Sequence, residues 1–226
     1  MKKIVSFLLC GTLIAGCGIS NLGKGSLIGS GAGAALGAGI GYLIGHDGKG
    51  AAIGAAVGTA VGAGTGALIG NKMDKKAAEL AALENAQVET VTDNNGLEAI
   101  KVTFNSGILF PTNGTTLSAA SQTELKNFAA KMADMTDTDI AVFGHTDNTG
   151  TAAVNERISV QRAESVAAYL QKCGIAASRI KSAGLSYNDP VADNATAEGR
   201  AQNRRVEIFI SANENMIKAA ENGTLQ

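Results

Sequence analysis

The placement of glycine constrains this 226-residue chain more than any other feature. Seventeen of its 29 glycines fall between Gly23 and Gly70, most of them four residues apart in two runs. The first run is Gly25, Gly29, Gly33, Gly37, Gly41 and Gly45. The second is Gly50, Gly54, Gly58, Gly62, Gly66 and Gly70, and the polar turn His46-Asp47-Gly48-Lys49 lies between them. On a helix this spacing lines the glycines along one slowly drifting face, leaving a groove that another backbone can approach closely. Each arm has 21 residues and as a helix would be about 31 Å long, close to a bilayer core. Against helix formation, each glycine costs up to roughly 1 kcal/mol relative to alanine, on the order of 10 kcal/mol over the dozen. Such helices persist only when packed against each other, against copies of themselves, or within lipid. The pattern predicts a helical hairpin over residues 25–70. The competing reading, a flexible Gly/Ala linker, does not account for Leu, Ile and Val kept in register.

Composition excludes several classes. Glycine is not at every third position and there are only two prolines, so the chain is not collagen-like. Nine Phe and Tyr residues and no tryptophan are too few for the aromatic girdles of an outer-membrane barrel. A net charge of -1 argues against a nucleic-acid binder that relies on a basic surface.

At the N-terminus, Lys2 and Lys3 precede an uncharged, mostly apolar run from Ile4 to Ala15, then Gly16 and Cys17. This is the layout of a signal peptide, and it is too short to span a bilayer comfortably. The stretch Leu13-Ile14-Ala15-Gly16-Cys17 resembles the lipobox of bacterial lipoproteins. That resemblance implies removal of residues 1–16 and acylation of Cys17, leaving 17–24 as a lipidated N-terminus. Cys10 would leave with the signal, so Cys173 has no partner for an intramolecular disulfide, and stability must come from packing. Gly18 is not the aspartate associated with inner-membrane retention in enteric bacteria, which favours a lipid anchor in the outer membrane. The glycine runs likewise resemble the glycine-zipper domains of bacterial envelope proteins, which implies membrane association or assembly into a homo-oligomer.

Beyond Gly70 the composition changes. Residues 71–87 interleave charge with Ala and Leu, as a solvated helix or connector does. Val88 to Val91 and Leu97 to Phe104 flank the turn sequence Asp93-Asn94-Asn95-Gly96 and predict a hairpin, with Ile100, Val102 and Phe104 on one face. Ser121 and Glu124 have capping-box spacing ahead of Leu125, Phe128, Ala129 and Met132. Ile140 to Phe143 reads as a strand, Asn155 to Lys172 as a helix closed by Gly174, and Ile180 to Ala183 as a short strand. Val206, Ile208 and Ile210 alternate in a last one. The expected class is α+β, with helices covering one face of a mixed sheet over residues 97–212. Residues 71–96 form a connector and hairpin strand, and 213–226 a tail.

Gly144-His145-Thr146-Asp147-Asn148-Thr149-Gly150 follows a predicted strand, so its polar groups belong to a loop at the strand's end. Arg162 breaks the apolar column of Ile158 and Val166 on the next helix. It either snorkels to solvent, pairs with a structural carboxylate, or faces a ligand. Asp147 and Arg162 presented together would suit a zwitterion, carboxylate to ammonium and guanidinium to carboxylate. No nucleophile elbow or HExxH motif accompanies them, and one histidine with scattered carboxylates does not make a zinc site. The sequence therefore implies neither an enzyme nor a cofactor. His145 reads as a loop-ordering residue, and Arg200 and Arg205 as structural.

GHTDNTG, NERISVQRAESVAAYL, Gly184, Pro190 and NATAEGRAQNRRVEI together resemble the OmpA-like C-terminal domain, a peptidoglycan-binding module, over about half the chain. The resemblance implies a βαβαββ sandwich and non-covalent binding of the diaminopimelate-containing stem peptide. Asp147 would take the diaminopimelate ammonium and Arg162 its carboxylate. Asn155 and Thr149 would line the pocket, and Asn203 with Arg204 would form its far wall. Where related sequences often read FDTN, this chain has Phe110-Pro111-Thr112-Asn113. Pro111 removes a charge and an amide donor, leaving Asn113 as the candidate contact there. The whole then reads as an outer-membrane lipoprotein that tethers the membrane to peptidoglycan, with its C-terminal domain in the periplasm. The alternative is an oligomeric assembly or pore component that uses the wall only as an anchor.

Overall fold

The computed structural model describes residues 63–93, 96–111 and 114–225. The signal peptide, Cys17, most of the glycine hairpin and Asn113 lie outside the described residues. Helix α1 (Ala63–Leu80) starts among the last zipper glycines and runs through the expected connector. It is followed by β1 (Ala86–Thr92), β2 (Glu98–Asn105), a single turn α2 (Ser106–Leu109), α3 (Ala119–Lys131) and β3 (Thr138–Gly144). Then come α4 (Ala152–Lys172), β4 (Ile180–Gly184), α5 (Ala197–Asn203), β5 (Arg205–Ala212) and α6 (Glu214–Glu221). The five strands form one sheet in the order β1-β2-β5-β3-β4, in which only β3 and β4 run parallel. The expected mixed sheet is thus present, with β1 added at its edge.

Alternation along the strands divides the molecule. Ile100, Val102 and Phe104 of β2, Ile140 and Val142 of β3, and Val206, Ile208 and Ile210 of β5 form one core with Leu125 and Phe128 of α3 and Val166 and Leu170 of α4. On the opposite face Ala141, Phe143 and Phe209 make a small cluster, the two phenyl rings meeting edge to face at 5.5 Å. Every residue of β5 is buried, so Arg205 and Glu207 are enclosed on that second face.

Three expectations change. Residues 71–80 are not a solvated connector: Ile69, Met73 and Leu80 bury one face of α1 against the domain. Lys76, only 4% exposed, donates to Asp134 Oδ1 (2.7 Å) and to the carbonyl of Lys131 (2.8 Å), while Lys72 pairs with Asp137 at 3.0 Å. The capping residue of α3 is Ser118, whose hydroxyl accepts from the Ser121 amide. Ser121 itself turns inward and donates to the Ile108 and Leu109 carbonyls. The expected tail folds as α6, capped by Asn213, with Met216, Ile217 and Ala220 buried against the rest of the core. The C-terminus of α4 follows expectation. Gly174 takes φ +102°, and the amides of Gly174 and Ile175 close back on the carbonyls of Gln171 and Leu170. Among the described residues no helix is long and apolar enough to cross a membrane.

Candidate functional site

The site is built where α4 lies on the ends of β3 and β4. Gly144 and Gly184 close these two parallel neighbours. A Cβ on either would collide with Ser159 of α4, so two glycines at one level let the helix settle onto the strand ends. The Ser159 hydroxyl donates to the Glu156 carbonyl and accepts from the Ser186 amide. Ser159 is thereby fixed, and Asn155 and Arg162, about one turn to either side, are placed beside the loop that follows β3. That loop is pinned by its backbone: the His145 amide donates to the Arg205 carbonyl (2.9 Å) and the Thr146 amide to that of Ser186 (2.8 Å).

Asp147, Thr149, Asn155, Arg162 and Arg204 line one cleft of about 930 Å³. Asp147 is 7% exposed. Its Oδ1 accepts from the Thr149 amide at 2.8 Å and its Oδ2 from Arg204 Nη1 at 2.5 Å. Burial disfavours the Asp147 carboxylate, but the Arg204 hydrogen bond and the Thr149 contacts outweigh it and hold its pKa below the usual range. Asn155 donates to the Thr149 carbonyl and braces the same loop.

Arg162 is 6% exposed. Its Nε donates to the Gly114 carbonyl (3.1 Å), and its guanidinium carbon lies 5.3 Å from the centroid of the Phe110 ring. Burial and the nearby Arg204 charge lower its pKa, and Asp147 opposes them. It remains a cation. Among the described residues no carboxylate forms an ion pair with it. Of the three readings open for Arg162, neither solvent exposure nor a structural carboxylate describes what is seen.

Asn203 is placed differently from the expectation. It is fully buried and absent from the cleft lining. Its Oδ1 accepts from the amides of Val191 and Ala192, and its Nδ2 donates to the Ala192 carbonyl and to Asn194. With its amide fully used, it supports the loop behind the wall and has nothing left for a ligand. Pro111, by contrast, does line the cleft.

Spacing did not reveal Arg157 and Arg200 as lining residues, nor the apolar contribution of Phe110, Val154 and Ile158. Arg200 donates to the carbonyls of Asn194 and Ala195 while facing the cleft, so its structural reading was half of its role. Arg205 is wholly structural: it is 2% exposed, with Nε on Glu207 Oε1 (2.8 Å) and Nη2 on Asp189 Oδ2 (3.3 Å). His145 Nε2 lies 3.4 Å from Glu207 Oε2, within ion-pair reach though not aligned as a hydrogen bond. Burial favours neutral Glu207, but His145 and Arg205 together hold its pKa down at about 2. Donor atoms of His145, Asp189 and Glu207 lie within 4.8 Å of one another, a grouping contributed by three distant positions. Arg205, paired with both carboxylates, supplies the positive charge that a cation would bring there.

The Asp147–Arg204 pair thus lies at the end of a β-α-β unit, on a mixed sheet covered by helices, and the same stretch of chain is similar to OmpA-like domains. Residues 109–204 match the OmpA family, and residues 1–74 match the YMGG-like Gly-zipper. The chain is 41% identical over 113 residues, half of its own length, to "Peptidoglycan-binding protein ArfA" of Mycobacterium bovis. It is 39% identical over 109 residues, 48% of its length, to "Outer-membrane lipoprotein YfiB" of Pseudomonas aeruginosa. It spans 35% of the first relative and 65% of the second. Among solved structures it resembles the cell wall anchor of the T6SS from Pseudomonas aeruginosa. The TM-score is 0.53 and the identity 30%, over 62% of this chain and 96% of that one.

Proposed function

We propose that the protein is a lipoprotein of the outer membrane that tethers it non-covalently to peptidoglycan, its C-terminal domain reaching the wall from the periplasmic side. Acylated Cys17 holds the membrane, the glycine hairpin packs in or on it and associates with copies of itself, and the cleft grips the stem peptide. The work is mechanical attachment, not catalysis. The names of the two relatives and of the structural neighbour, all belonging to envelope or wall-binding proteins, support this reading.

One observation carries the ligand assignment. A buried carboxylate and a buried guanidinium line the same cleft, and the guanidinium has no carboxylate partner among the described residues. Burying an arginine without its counter-ion is costly, and a ligand carboxylate placed against its free edge removes that cost. A diaminopimelate residue brings such a carboxylate together with an ammonium for Asp147. Its ammonium then joins or displaces Arg204, whose side chain is 41% exposed and free to swing away. Sedimentation with purified sacculi, using the detergent-solubilised full chain, tests the assignment. Asp147→Asn and Arg162→Gln should each weaken binding by about 2 to 5 kcal/mol, because the partner charge is left unpaired. Retention of both variants at the wild-type level would exclude the cleft as the wall-binding site.

A further inference from the structure

The cleft carries more positive charge than a single zwitterion can satisfy. Its lining contains four arginines, Arg157, Arg162, Arg200 and Arg204, and one carboxylate, Asp147. Asp147 is already paired with Arg204. Arg162 feels the surplus, since the charge of Arg204 adds to burial in lowering its pKa. Among the described residues Arg157 hydrogen-bonds to the side-chain oxygen of Gln161, at 3.4 Å, and Arg200 to backbone carbonyls through Nη1. Among the described residues neither has a carboxylate within ion-pair distance.

A ligand residue with one ammonium and one carboxylate brings no net charge. Seated on Asp147 and Arg162, it would leave the guanidiniums of exposed Arg157 and half-buried Arg200 at the cleft wall without an anionic partner. Further carboxylates on the same ligand would find charge-assisted donors there. Phe110, Val154 and Ile158 lie among these arginines and present apolar surface to the cleft, with Val154 40% exposed. A lining that holds both guanidiniums and apolar side chains suits a peptide that carries carboxylates and small apolar side chains together.

We propose that Arg157 and Arg200 form a second carboxylate subsite, so that the cleft selects stem peptides whose carboxylates outside the zwitterionic end are free over the same peptides with those groups amidated. This rests on the stem-peptide reading above and adds a chemical criterion to it. Amidation preserves size and shape but removes charge, so a cleft that reads only the zwitterion does not distinguish the two forms.

Calorimetric titration of the full chain in detergent, with paired synthetic diaminopimelate tetrapeptides, is the test. One peptide carries free carboxylates; in the other, every carboxylate except that of the zwitterionic end is amidated. The wild type should prefer the free acid by roughly tenfold at low salt, and the ratio should shrink as salt rises. Arg157→Gln should reduce that ratio, and Arg157→Gln with Arg200→Gln should bring it close to one. Arg157 is exposed and its hydrogen bond among the described residues is to Gln161, so its single variant reads the subsite without disturbing the fold. Equal wild-type affinity for both peptides overturns the subsite while leaving the stem-peptide reading standing. A preference unchanged in the double variant overturns the assignment to these two arginines. Failure of both peptides to bind wild-type protein overturns both proposals together.

Discussion

Arg204 and Arg205 are neighbours in sequence at the entrance to β5, yet they do opposite work. Arg204 leans into the cleft with a 41% exposed side chain and meets one carboxylate, Asp147. Arg205 enters the second face of the sheet with a 2% exposed side chain and meets two, Glu207 and Asp189. Consecutive residues of an extended chain project to opposite sides, so one dipeptide serves a ligand site and a buried network at once. The difference shows which ion pair belongs to the fold and which can be exchanged. A pair sealed from water and bonded on both sides holds the strand in place, whereas a pair open to solvent on the arginine side can release its carboxylate to an incoming ammonium.

Removing the buried member, Arg205, should have the greatest consequence for the fold. Arg205→Ala leaves the Glu207 carboxylate enclosed without its guanidinium partner and should cost about 3 to 5 kcal/mol in chemical denaturation. A loss below about 1 kcal/mol would show the network to be dispensable. A somewhat smaller effect comes from acid. Glu207 has a folded pKa of about 2 against an ordinary carboxylate value of 4.5. A depressed folded pKa contributes stability that is present above the unfolded value and lost as pH falls through the folded one. Between about pH 4.5 and 2 the protein should therefore lose on the order of 3 kcal/mol from this group. The lowered pKa of Asp147 adds in the same direction. Denaturation curves at stepped pH should show the slope, and Glu207→Gln should flatten most of it. An unchanged slope in that variant would place the acid-sensitive group elsewhere.

Much of this was legible in the sequence, and the rest fails for identifiable reasons. The alternation of Ile100, Val102 and Phe104 and of Val206, Ile208 and Ile210 predicted two core strands, because a one-sided pleat leaves a period-two pattern. Asp147, Thr149, Asn155, Arg162 and Arg204 are expected together from separated motifs, and the fold brings all five to one cleft. Asn203 shares a motif with Arg204, but a motif does not record which way a side chain turns, and this one faces a loop backbone. Ser121 and Glu124 have the spacing of a capping box. Which serine caps, however, was decided by the carbonyls of Ile108 and Leu109, 13 and 12 residues upstream. The docking of α1 was hidden most completely. Lys76 looks like a solvent residue until Asp134, 58 positions away, and the Lys131 carbonyl are brought to it by the tertiary fold. Burial of a charge by non-local partners leaves no local periodicity to read. Arg157 and Arg200 escaped for the same reason: their common cleft exists only once α4 and α5 are assembled.

On the exposed side, loss of Arg204 should matter least for stability. Arg204→Ala removes a partner that water already half replaces, and Asp147 keeps the Thr149 amide at 2.8 Å. The stability loss should therefore stay at or below about 1 kcal/mol, as for ion pairs open to solvent. The Asp147 carboxyl should at the same time titrate at a higher pH than in the wild type, since the Arg204 hydrogen bond is the main influence lowering it. Carbon-detected NMR of the side-chain carboxyl can follow that movement directly. A small stability change with a clear rise in the Asp147 pKa is what an exchangeable counter-ion produces: the bond is electrostatically felt, yet folding does not depend on it. A loss as large as that of Arg205→Ala would mean that the Asp147–Arg204 pair holds the β3 loop in place. Asp147 would then not be free to give up its arginine to a ligand ammonium, and the two neighbouring arginines would be doing one structural job.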